Sequence, residues 1–406
     1  MIAATDQRSA LEEARRYLVG GVNSPVRAFR HIGGEPLLLH RAKGAEVEDV
    51  QGRRFLDFIA GWGAILLGHN PPAVVDALRR RADAGVLLGL THPAEAELAR
   101  LITEAVPSVE QVRFTVSGTE ADLTAARLAM GITGRRAVLA FDGCYHGHAV
   151  LAPEVIRVPY NDPAALEAAL QRHGQQLACV IVEPVAANMG VVPPEPGFLA
   201  RVRDLTSRQG ILLVFDEVVT GFRLGAGGAQ GSLGVTPDLT VFGKIIGGGL
   251  PIGAVGGPRR LLQRLAPEGD VYHGGTFAGH PLSMAAGIAA LRELAAHPPY
   301  ESLERRSGRL ADGLLRESRA HGVSLRVNRA GSMLTVFFAD RPVRNEADAK
   351  ASRRDRFAQW ARALLAQGIL VPPSPFEALF LTTAHTDEHV ERLIRASGEA
   401  FQSWHE

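Results

Sequence analysis

The sequence has few cysteines, no long apolar run and no block of like charges. Its 406 residues include two cysteines, Cys144 and Cys179, which belong to no Cys-x-x-Cys pair and cannot form a disulfide framework. No stretch of about 18 uninterrupted apolar residues occurs, and Met1–Arg8 lacks the basic and then apolar layout of a signal peptide. We therefore expect a soluble, cytoplasmic protein that does not bind a membrane.

The balance of charge argues against nucleic acid as a partner. Lys and Arg number 44 against 43 Asp and Glu, the net charge is +1, and the two signs are interspersed along the chain. Hydrophobic residues make up 46% of the chain, which is enough for a large buried core. A chain of this length is expected to fold as two or more compact units.

Short apolar runs alternate with stretches of helical spacing through the middle of the chain. The predicted strands are 112–116, 137–141, 178–183, 213–216 and 239–243. Helices of about 10 to 15 residues between strands imply right-handed crossovers and a mainly parallel sheet covered on both faces. Because such strands are buried on both sides, charged residues should occur only at their ends, as Glu183, Asp216 and Lys244 do.

Two of these strand ends carry opposite charges that suit pyridoxal phosphate. One apolar run ends in Asp216, and another ends 28 residues later in Lys244, beside Gly247-Gly248-Gly249. The cofactor requires a lysine amine for its aldehyde and a carboxylate for its ring nitrogen. Taken alone, Asp216 is also typical of a strand-end cap, and Lys244 of a surface lysine.

Two other motifs are suited to anionic groups. Ser117-Gly118-Thr119 follows a strand and begins a helix, so its hydroxyls and backbone N–H groups suit a phosphate, although Ser and Thr are also ordinary helix caps there. Arg27 lies in an irregular arm broken by glycine and proline, where it is either a carboxylate ligand or a surface arginine. Neither motif identifies a ligand alone.

The segment after the strand 137–141 contains an aromatic residue and two histidines. Tyr145 is suited to lie flat on a cofactor ring, because ligands of open α/β sheets bind beyond the carboxyl ends of the strands. The pair His146 and His148 lacks a third ligand at useful spacing and an acidic helix partner, so we predict no metal site.

Three segments are expected along the chain. Residues 1–66 form an N-terminal arm and hairpin that pack with a small domain, 67–296 form a large α/β domain that binds the cofactor, and 297–406 form that small α+β domain. The second boundary falls at the double proline of His297-Pro298-Pro299, after a helix predicted at 281–296.

Taken together, these motifs resemble class III aminotransferases of fold type I, which depend on pyridoxal phosphate. The resemblance covers nearly the whole chain and is greatest to the glutamate-1-semialdehyde 2,1-aminomutases. The motifs that carry it are Gly20-Gly-Val-Asn-Ser-Pro-Val-Arg-Ala-Phe29, Ser117-Gly-Thr-Glu-Ala121, Gly143-Cys-Tyr-His-Gly-His148, Phe215-Asp-Glu-Val218, Thr220-Gly-Phe-Arg223, Lys244-Ile-Ile-Gly-Gly-Gly249, Phe376-Glu-Ala378 and Ala384-His-Thr386.

The resemblance implies an α/β fold with a mainly parallel sheet sandwiched by helices in the large domain, a smaller α+β domain, and a role for each matching residue. Lys244 would bind the cofactor aldehyde covalently and move protons, and Asp216 would pair with the ring nitrogen. Val218 and Tyr145 would pack on opposite faces of the ring. Ser117, Gly118 and Thr119, which form one turn, would hold the phosphate.

The family resemblance also implies a homodimer with shared active sites and a substrate pocket. Thr276 would reach the phosphate of the neighbouring subunit. Arg27 would bind the substrate carboxylate, and Trp62 and Glu377 match positions that line the pocket. The partners would be a small-molecule amino donor and a carbonyl acceptor.

One departure from the aminomutase pattern concerns the active-site lid. In the aminomutases a longer, glycine- and serine-rich segment covers the site and retains a diamino intermediate. Here residues 149–162 run almost directly into the next turn and leave no room for such a lid. We therefore predict an aminotransferase that transfers an amino group to or from a carboxylate-bearing substrate, including amines beta to the acid or more distant.

Other functions stay open at this point. The first is the aminomutase itself, which makes 5-aminolevulinate for tetrapyrrole synthesis. The second is a non-catalytic protein that binds pyridoxal phosphate, against which the presence of both Lys244 and Asp216 argues. Decarboxylation or racemisation on the same fold is a third, since the fold does not choose which bond breaks.

Overall fold

The alternation of apolar runs and helical spacing folds into three β-sheets with helices packed on them. The computed structural model describes residues 7–149 and 151–404. The strands are β1 (Leu39–Lys43), β2 (Glu46–Asp49), β3 (Arg54–Asp57), β4 (Gln111–Thr115), β5 (Ala137–Phe141), β6 (Glu154–Val158), β7 (Leu177–Val182), β8 (Leu212–Asp216), β9 (Leu239–Gly243), β10 (Gly253–Gly257), β11 (Arg326–Ala330), β12 (Met333–Phe337), β13 (Ile369–Leu370) and β14 (Leu379–Phe380).

Helices connect most of these strands. They are α1 (Gln7–Tyr17), α2 (Pro72–Asp83), α3 (Pro93–Ala105), α4 (Gly118–Thr133), α5 (Pro163–His173), α6 (Phe198–Arg208), α7 (Gly228–Leu233), α8 (Arg259–Leu262), α9 (Pro281–Ala296), α10 (Tyr300–Ala320), α11 (Glu346–Ala351), α12 (Arg354–Ala366) and α13 (Asp387–Gln402). None of the helices in the described residues is both long enough and apolar enough to cross a membrane.

Helix ends follow the local cap chemistry. At the start of α5, the Asp162 carboxylate accepts a hydrogen bond from the Ala165 N–H at 2.9 Å, and Pro163 occupies the first helical position. Helix α4 ends at Gly134, whose φ of 70° is left-handed and favours glycine. The predicted helix at 281–296 is confirmed as α9.

The largest sheet has seven strands in the order β4-β10-β9-β8-β7-β5-β6. Five neighbouring strands are parallel to one another: β9, β8, β7, β5 and β6. Strand β10 is antiparallel to both of its neighbours, β4 and β9. The prediction of a mainly parallel sheet is therefore confirmed.

Both faces of this sheet are buried. Alternate residues of β5 belong to different cores: Leu139 and Phe141 pack with residues of α5 and α6, whereas Val138 and Ala140 pack with residues of α4. This alternation follows from the two-residue period of a strand. Apolar side chains on both faces explain why β5, β7 and β9 read as continuous apolar runs.

Two smaller sheets join distant parts of the chain. One has the order β1-β2-β3-β13 and pairs the N-terminal hairpin with a strand near residue 370, and the other has the order β11-β12-β14. The parallel pairing of β3 with β13 forms this link. The domain boundaries at 66/67 and 296/297 stay predictions.

Two strands of the large sheet were not predicted. Strand β10 is Gly-Ala-Val-Gly-Gly, and glycine normally weakens a strand. An added Cβ at Gly253 would lie 2.1 Å from the Ser117 carbonyl oxygen, so tertiary packing requires glycine there. The other missed strand, β6, lies at the sheet edge and has two exposed residues among its five.

Arg223 is a fully buried cation that connects the large sheet region to the smaller sheets. Its Nη1 donates to the Ser332 hydroxyl at 3.0 Å, its Nη2 donates to the Gly63 carbonyl at 2.5 Å, and its guanidinium lies 4.6 Å from the centre of the Phe380 ring. Its Nε has no hydrogen-bond partner among residues 7–149 and 151–404. Burial lowers the pKa of the guanidinium to about 9.

We expect Arg223→Ala to lower the thermal unfolding midpoint of the cofactor-free protein. The change leaves the Gly63 carbonyl and Ser332 hydroxyl without a donor and opens a cavity beside Phe380. The free energy of unfolding should fall by about 2 to 4 kcal/mol. The matched control is Arg208→Ala, which removes an exposed pair with Asp204. An unchanged or higher midpoint for Arg223→Ala would show that relieving an unpaired buried charge outweighs the lost contacts.

Candidate active site

The carboxyl ends of the parallel strands open into one cavity of about 420 Å³. Strands β5, β7, β8 and β9 each contribute a residue at or just beyond their last position, as expected for an open α/β sheet. The predicted site residues that line the cavity are Ser117, Gly118, Thr119, Tyr145, Asp216, Val218 and Lys244.

Asp216 is the last residue of β8 and is buried. Its Oδ1 accepts a hydrogen bond from the Val218 N–H at 3.0 Å, and its Oδ2 lies 2.7 Å from Nδ1 of the buried His146. Both contacts hold the carboxylate in one orientation. A hydrogen bond donated to a carboxylate also favours its charged form.

Lys244 follows β9 directly, and its backbone is left-handed, with a φ of 48°. A non-glycine residue in this region is uncommon and is found most often where function requires it. Burial lowers the pKa of the Lys244 amine, while the nearby carboxylates of Glu183, Glu377 and Asp216 act in the opposite direction. The site therefore favours a neutral, nucleophilic amine more than water does.

The turn before α4 is built for close packing at a helix N-terminus. The Ser117 hydroxyl caps the helix by accepting a hydrogen bond from the Glu120 N–H at 3.2 Å. An added Cβ at Gly118 would lie 3.0 Å from Val218, and one at Gly147 would lie 2.4 Å from the Thr119 hydroxyl oxygen. The first N–H groups of a helix lack intrahelical partners, so this turn can bind an anion.

Two buried carboxylates of the site were not predicted as functional. Glu183 follows β7, where its position at a strand end was the only sequence signal. It accepts hydrogen bonds from the Tyr145 N–H at 2.7 Å, the Ala187 N–H at 2.8 Å and the Asn188 amide at 3.0 Å. Asp122 lies in α4 among alanines, and nothing in the sequence marks it except a charge on a buried face.

The remaining predicted residues do not line this cavity. Arg27 lies exposed in a short 3-10 turn, Pro25–Ala28, Trp62 is half-buried, and Thr276 is exposed. Thr276 is predicted to act on the neighbouring subunit and not on the cavity of its own chain. The roles of all three stay predictions.

Glu377 lies close enough to Lys244 for the two charges to interact. Burial raises the pKa of the Glu377 carboxyl to about 7; the Lys244 amine opposes this rise and Glu183 adds to it. Its backbone carbonyl accepts a hydrogen bond from the Thr335 hydroxyl at 3.1 Å, which fixes the loop after β13 against β12. The carboxyl is therefore able to hold or release a proton near neutral pH.

The side chains of this cavity fit pyridoxal phosphate. An amine and a buried carboxylate line the same space, and a glycine-containing turn at a helix N-terminus lies at another part of its wall. These are the three groups that the aldehyde, the ring nitrogen and the phosphate of the cofactor require.

Comparison with known proteins agrees with this chemistry. The family described as aminotransferase class-III matches residues 30–152 and 149–396. The chain is 48% identical to a glutamate-1-semialdehyde 2,1-aminomutase of Desulfosudis oleivorans over 421 aligned residues, covering 98% of this chain and 99% of that protein.

Solved structures share the fold over nearly the whole chain. An omega-transaminase from Sphaerobacter thermophilus has a TM-score of 0.91 and 34% identity, with 98% of both chains covered. A glutamate-1-semialdehyde-aminomutase from Pseudomonas aeruginosa PAO1 has a TM-score of 0.88 and 28% identity, with 97% of this chain and 93% of that chain covered. The predicted fold type I architecture is thus confirmed.

These comparisons overturn the predicted two-substrate transaminase. Several proteins named glutamate-1-semialdehyde 2,1-aminomutase are 44% to 50% identical to this chain over nearly its full length. The omega-transaminase is similar in backbone but only 34% identical, and a shared backbone does not distinguish two activities of one fold. The prediction was wrong because it relied on one short segment, which affects what covers the cavity and not what lines it.

The segment after His148 contains the residues at which the two parts of the family match overlap. The family match divides at residues 149–152, and the alignment to the Desulfosudis protein is longer than this chain, 421 against 406 residues. Strand β6 begins at Glu154, only six residues after His148. Of this segment, residue 150 lies outside the described part of the chain.

We expect the stability of the cofactor-free protein to depend on pH through Glu377. A carboxyl whose pKa is raised on folding contributes stability that is fully present below its unfolded pKa, about 4.3, and is lost as the pH rises through its folded pKa. The folded value for Glu377 is about 7. The wild type should therefore lose stability between pH 5 and pH 8, whereas Glu377→Gln should not. Over this range the free energy of unfolding of Glu377→Gln should rise relative to that of the wild type by on the order of 2 kcal/mol.

Urea unfolding of both proteins at several pH values measures this difference. The control is Glu301→Gln, at an exposed side chain of α10, which should show no comparable drift. A difference between wild type and Glu377→Gln that stays constant with pH would contradict the expectation.

Proposed function

The chain belongs to the aminotransferase class-III family, and we propose that within this family it is a glutamate-1-semialdehyde 2,1-aminomutase, which makes 5-aminolevulinate. The observation that carries the proposal is the 44% to 50% identity to several proteins of that name over nearly their whole length. The cytoplasmic location predicted from the two unpaired cysteines stays part of this proposal.

The enzyme depends on pyridoxal phosphate, like its family. When bound, the cofactor supplies an electron sink that stabilises negative charge on a substrate carbon. Lys244 would hold the cofactor through its Nζ, and its free amine would take a proton from the substrate and return it at a different atom. The desolvation that lowers the pKa of Lys244 supports this role, because the amine must be neutral to accept a proton.

The other site residues bind and orient. Asp216 is oriented by the hydrogen bond that it accepts from the Val218 N–H, and it would pair with the protonated ring nitrogen of the cofactor. Tyr145 and Val218 pack on the two faces of the ring. The phosphate is bound by Ser117, Gly118 and Thr119.

The residues proposed to bind the substrate are not among those that line the cavity described above. Arg27 pairs with the substrate carboxylate, since its exposed guanidinium can form a bidentate contact. Trp62 and Glu377 line the substrate pocket. The electrostatic contact between Glu377 and Lys244 supports a place for Glu377 beside the reacting atoms.

A homodimer with shared sites is part of the proposal. Leu90, Tyr272 and Phe277 are 83%, 77% and 54% exposed, which is unusual for large apolar side chains. The two segments that carry them are adjacent, because the His92 ring nitrogen Nε2 lies 2.9 Å from the Gly279 carbonyl oxygen. A second copy of the chain would cover this surface and bring its own Thr276 to the phosphate turn.

We expect the purified holoenzyme to convert glutamate-1-semialdehyde to 5-aminolevulinate without an added amino donor. Lys244→Ala should reduce the rate at least about 100-fold, because the general acid–base catalyst is lost. The control is Lys43→Ala, at an exposed position of β1. Chromatographic detection of 5-aminolevulinate measures the rate.

The same reaction mixture tests the competing activity. Conversion that requires an external amino donor, or that stops after one turnover per site with a diamine released into solution, would contradict the proposal. The sequence contains three lysines, Lys43, Lys244 and Lys350, so borohydride reduction and peptide mapping identify which of them holds the cofactor.

We expect mixed dimers to show whether Thr276 acts across the subunit interface. Thr276→Asp should inactivate by repelling the phosphate, and Lys244→Ala should inactivate by removing the amine. In a mixed dimer of the two variants, one site would have both defects, and the other would have an intact lysine and an intact threonine. Mixing the two inactive proteins should therefore restore activity, up to about half that of the wild type for each hybrid dimer.

Activity assays before and after co-refolding measure this restoration. Each variant assayed alone is the control. No restoration, with hybrid dimers shown to be present by mass spectrometry, would mean that Thr276 serves the site of its own chain or no site.

A further inference from the structure

Three ionisable side chains are buried together at the floor of the cavity. One ligand atom from each of Asp122, His146 and Asp216 lies within 4.8 Å of the other two, and all three residues are less than 5% exposed. Glu183 adds another buried carboxyl nearby, which interacts electrostatically with Asp122. Three carboxylates so close together cannot all be ionised without a large energetic cost.

The hydrogen-bond donors are shared unequally among these carboxyl groups. Glu183 accepts from two backbone N–H groups and the Asn188 amide, and Asp216 has the Val218 N–H and the His146 ring. Both are thus supplied with donors that stabilise an anion. Asp122 differs, because its Oδ1 is buried and has no hydrogen-bond partner within the described part of the chain.

One oxygen of the Asp122 carboxyl lies within 4.8 Å of an oxygen of the Asp216 carboxyl. A hydrogen bond between two carboxyl groups requires a proton on one of them, since ionised carboxylates only accept. Asp216 already has two donors, so the proton belongs on Asp122. Burial and the Asp216 and Glu183 charges raise the pKa of Asp122 well above its usual range.

A metal ion does not explain the cluster as well as a proton does. The His146 Nδ1 and Asp216 Oδ2 atoms are 2.7 Å apart, which is a hydrogen-bond distance. Two ligands of a tetrahedral zinc ion, each about 2.0 to 2.1 Å from the metal, lie roughly 3.3 Å apart.

We propose that Asp122 is a positioning residue, a permanently protonated acid whose O–H donates a hydrogen bond to the Asp216 carboxylate. Asp216 then accepts from three groups: the Asp122 hydroxyl, the Val218 N–H and the His146 ring. A carboxylate with more donors is less basic. The proton shared between Asp216 and the cofactor ring nitrogen therefore rests on the nitrogen, where electron withdrawal requires it. This step relies on the proposed pairing of Asp216 with the ring nitrogen.

Infrared spectroscopy of protein carrying ¹³C-labelled aspartate carboxyl groups tests the protonation of Asp122 directly. At neutral pH the wild-type protein should show the carbonyl stretch of a protonated aspartic acid, and Asp122→Asn should lack it. Asp49→Asn is the matched control, because Asp49 is equally buried but is paired with Arg53 at 2.7 Å. Absence of the band in the wild type, or its persistence in Asp122→Asn, would overturn the proposal.

The effect on the ring nitrogen is measured by ¹⁵N NMR of labelled cofactor in the holoenzyme. Asp122→Asn keeps a donor and should leave the ¹⁵N shift close to that of the wild type, whereas Asp122→Ala should move it toward the unprotonated value. The rate should fall about tenfold or more in Asp122→Ala and less in Asp122→Asn. Equal shifts in both variants would overturn the donor role.

The two measurements separate this inference from the proposed function. Neither spectrum requires a substrate, so a negative result would leave the semialdehyde reaction untouched, and failure of that reaction would leave the spectra valid. If Asp122→Ala does not fold, the infrared comparison of wild type, Asp122→Asn and Asp49→Asn still decides the protonation state.

Discussion

Burial of both faces of the seven-stranded sheet is the constraint on which the site depends. No charged side chain can lie inside β5, β7, β8 or β9 without losing its hydration, so the charges of these strands occur at their carboxyl ends. The parallel direction of these strands brings those ends to one edge. Folding the hydrophobic core therefore also brings together Glu183, Asp216 and Lys244, which are far apart in the chain.

Bringing these ionisable groups together in a buried site is energetically costly, and backbone N–H groups reduce that cost. Three carboxyl groups and one amine are buried near one another, and only donors or protons can make such an arrangement stable. Turns after β7 and β8 supply N–H groups to Glu183 and Asp216, and each such hydrogen bond favours the charged form of the carboxyl group. Asp122 comes from a helix, whose interior N–H groups are already used, and it has no such donor. The protonation that we propose for the Asp122 carboxyl therefore follows from its position in a helix.

The sequence predicted what local patterns encode and missed what only tertiary contacts decide. Apolar runs ending in a charge indicated β8 and β9 with their functional residues, and periodicity with cap residues indicated α5 and α9. Strand β10 was missed because it is rich in glycine, and its Gly253 is required by the approach of the Ser117 carbonyl, a contact that no window of sequence shows. Asp122 was missed for the same reason, because the residue with which it interacts, Asp216, lies 94 residues away in the sequence.

The erroneous transaminase prediction shows that the residues that line a cavity and the segments that cover it carry different information. Lining residues set which bonds are polarised and where protons move, and here they belong to rigid strand ends and a helix N-terminus. Covering segments set how long an intermediate stays, and a loop can be shortened without changing the sheet beneath it. An effect of the segment after His148 would therefore be on how long an intermediate is retained, whereas identity over the whole chain bears on the reaction. When the two disagree, the residues that contact the reacting atoms are the better guide to the chemistry.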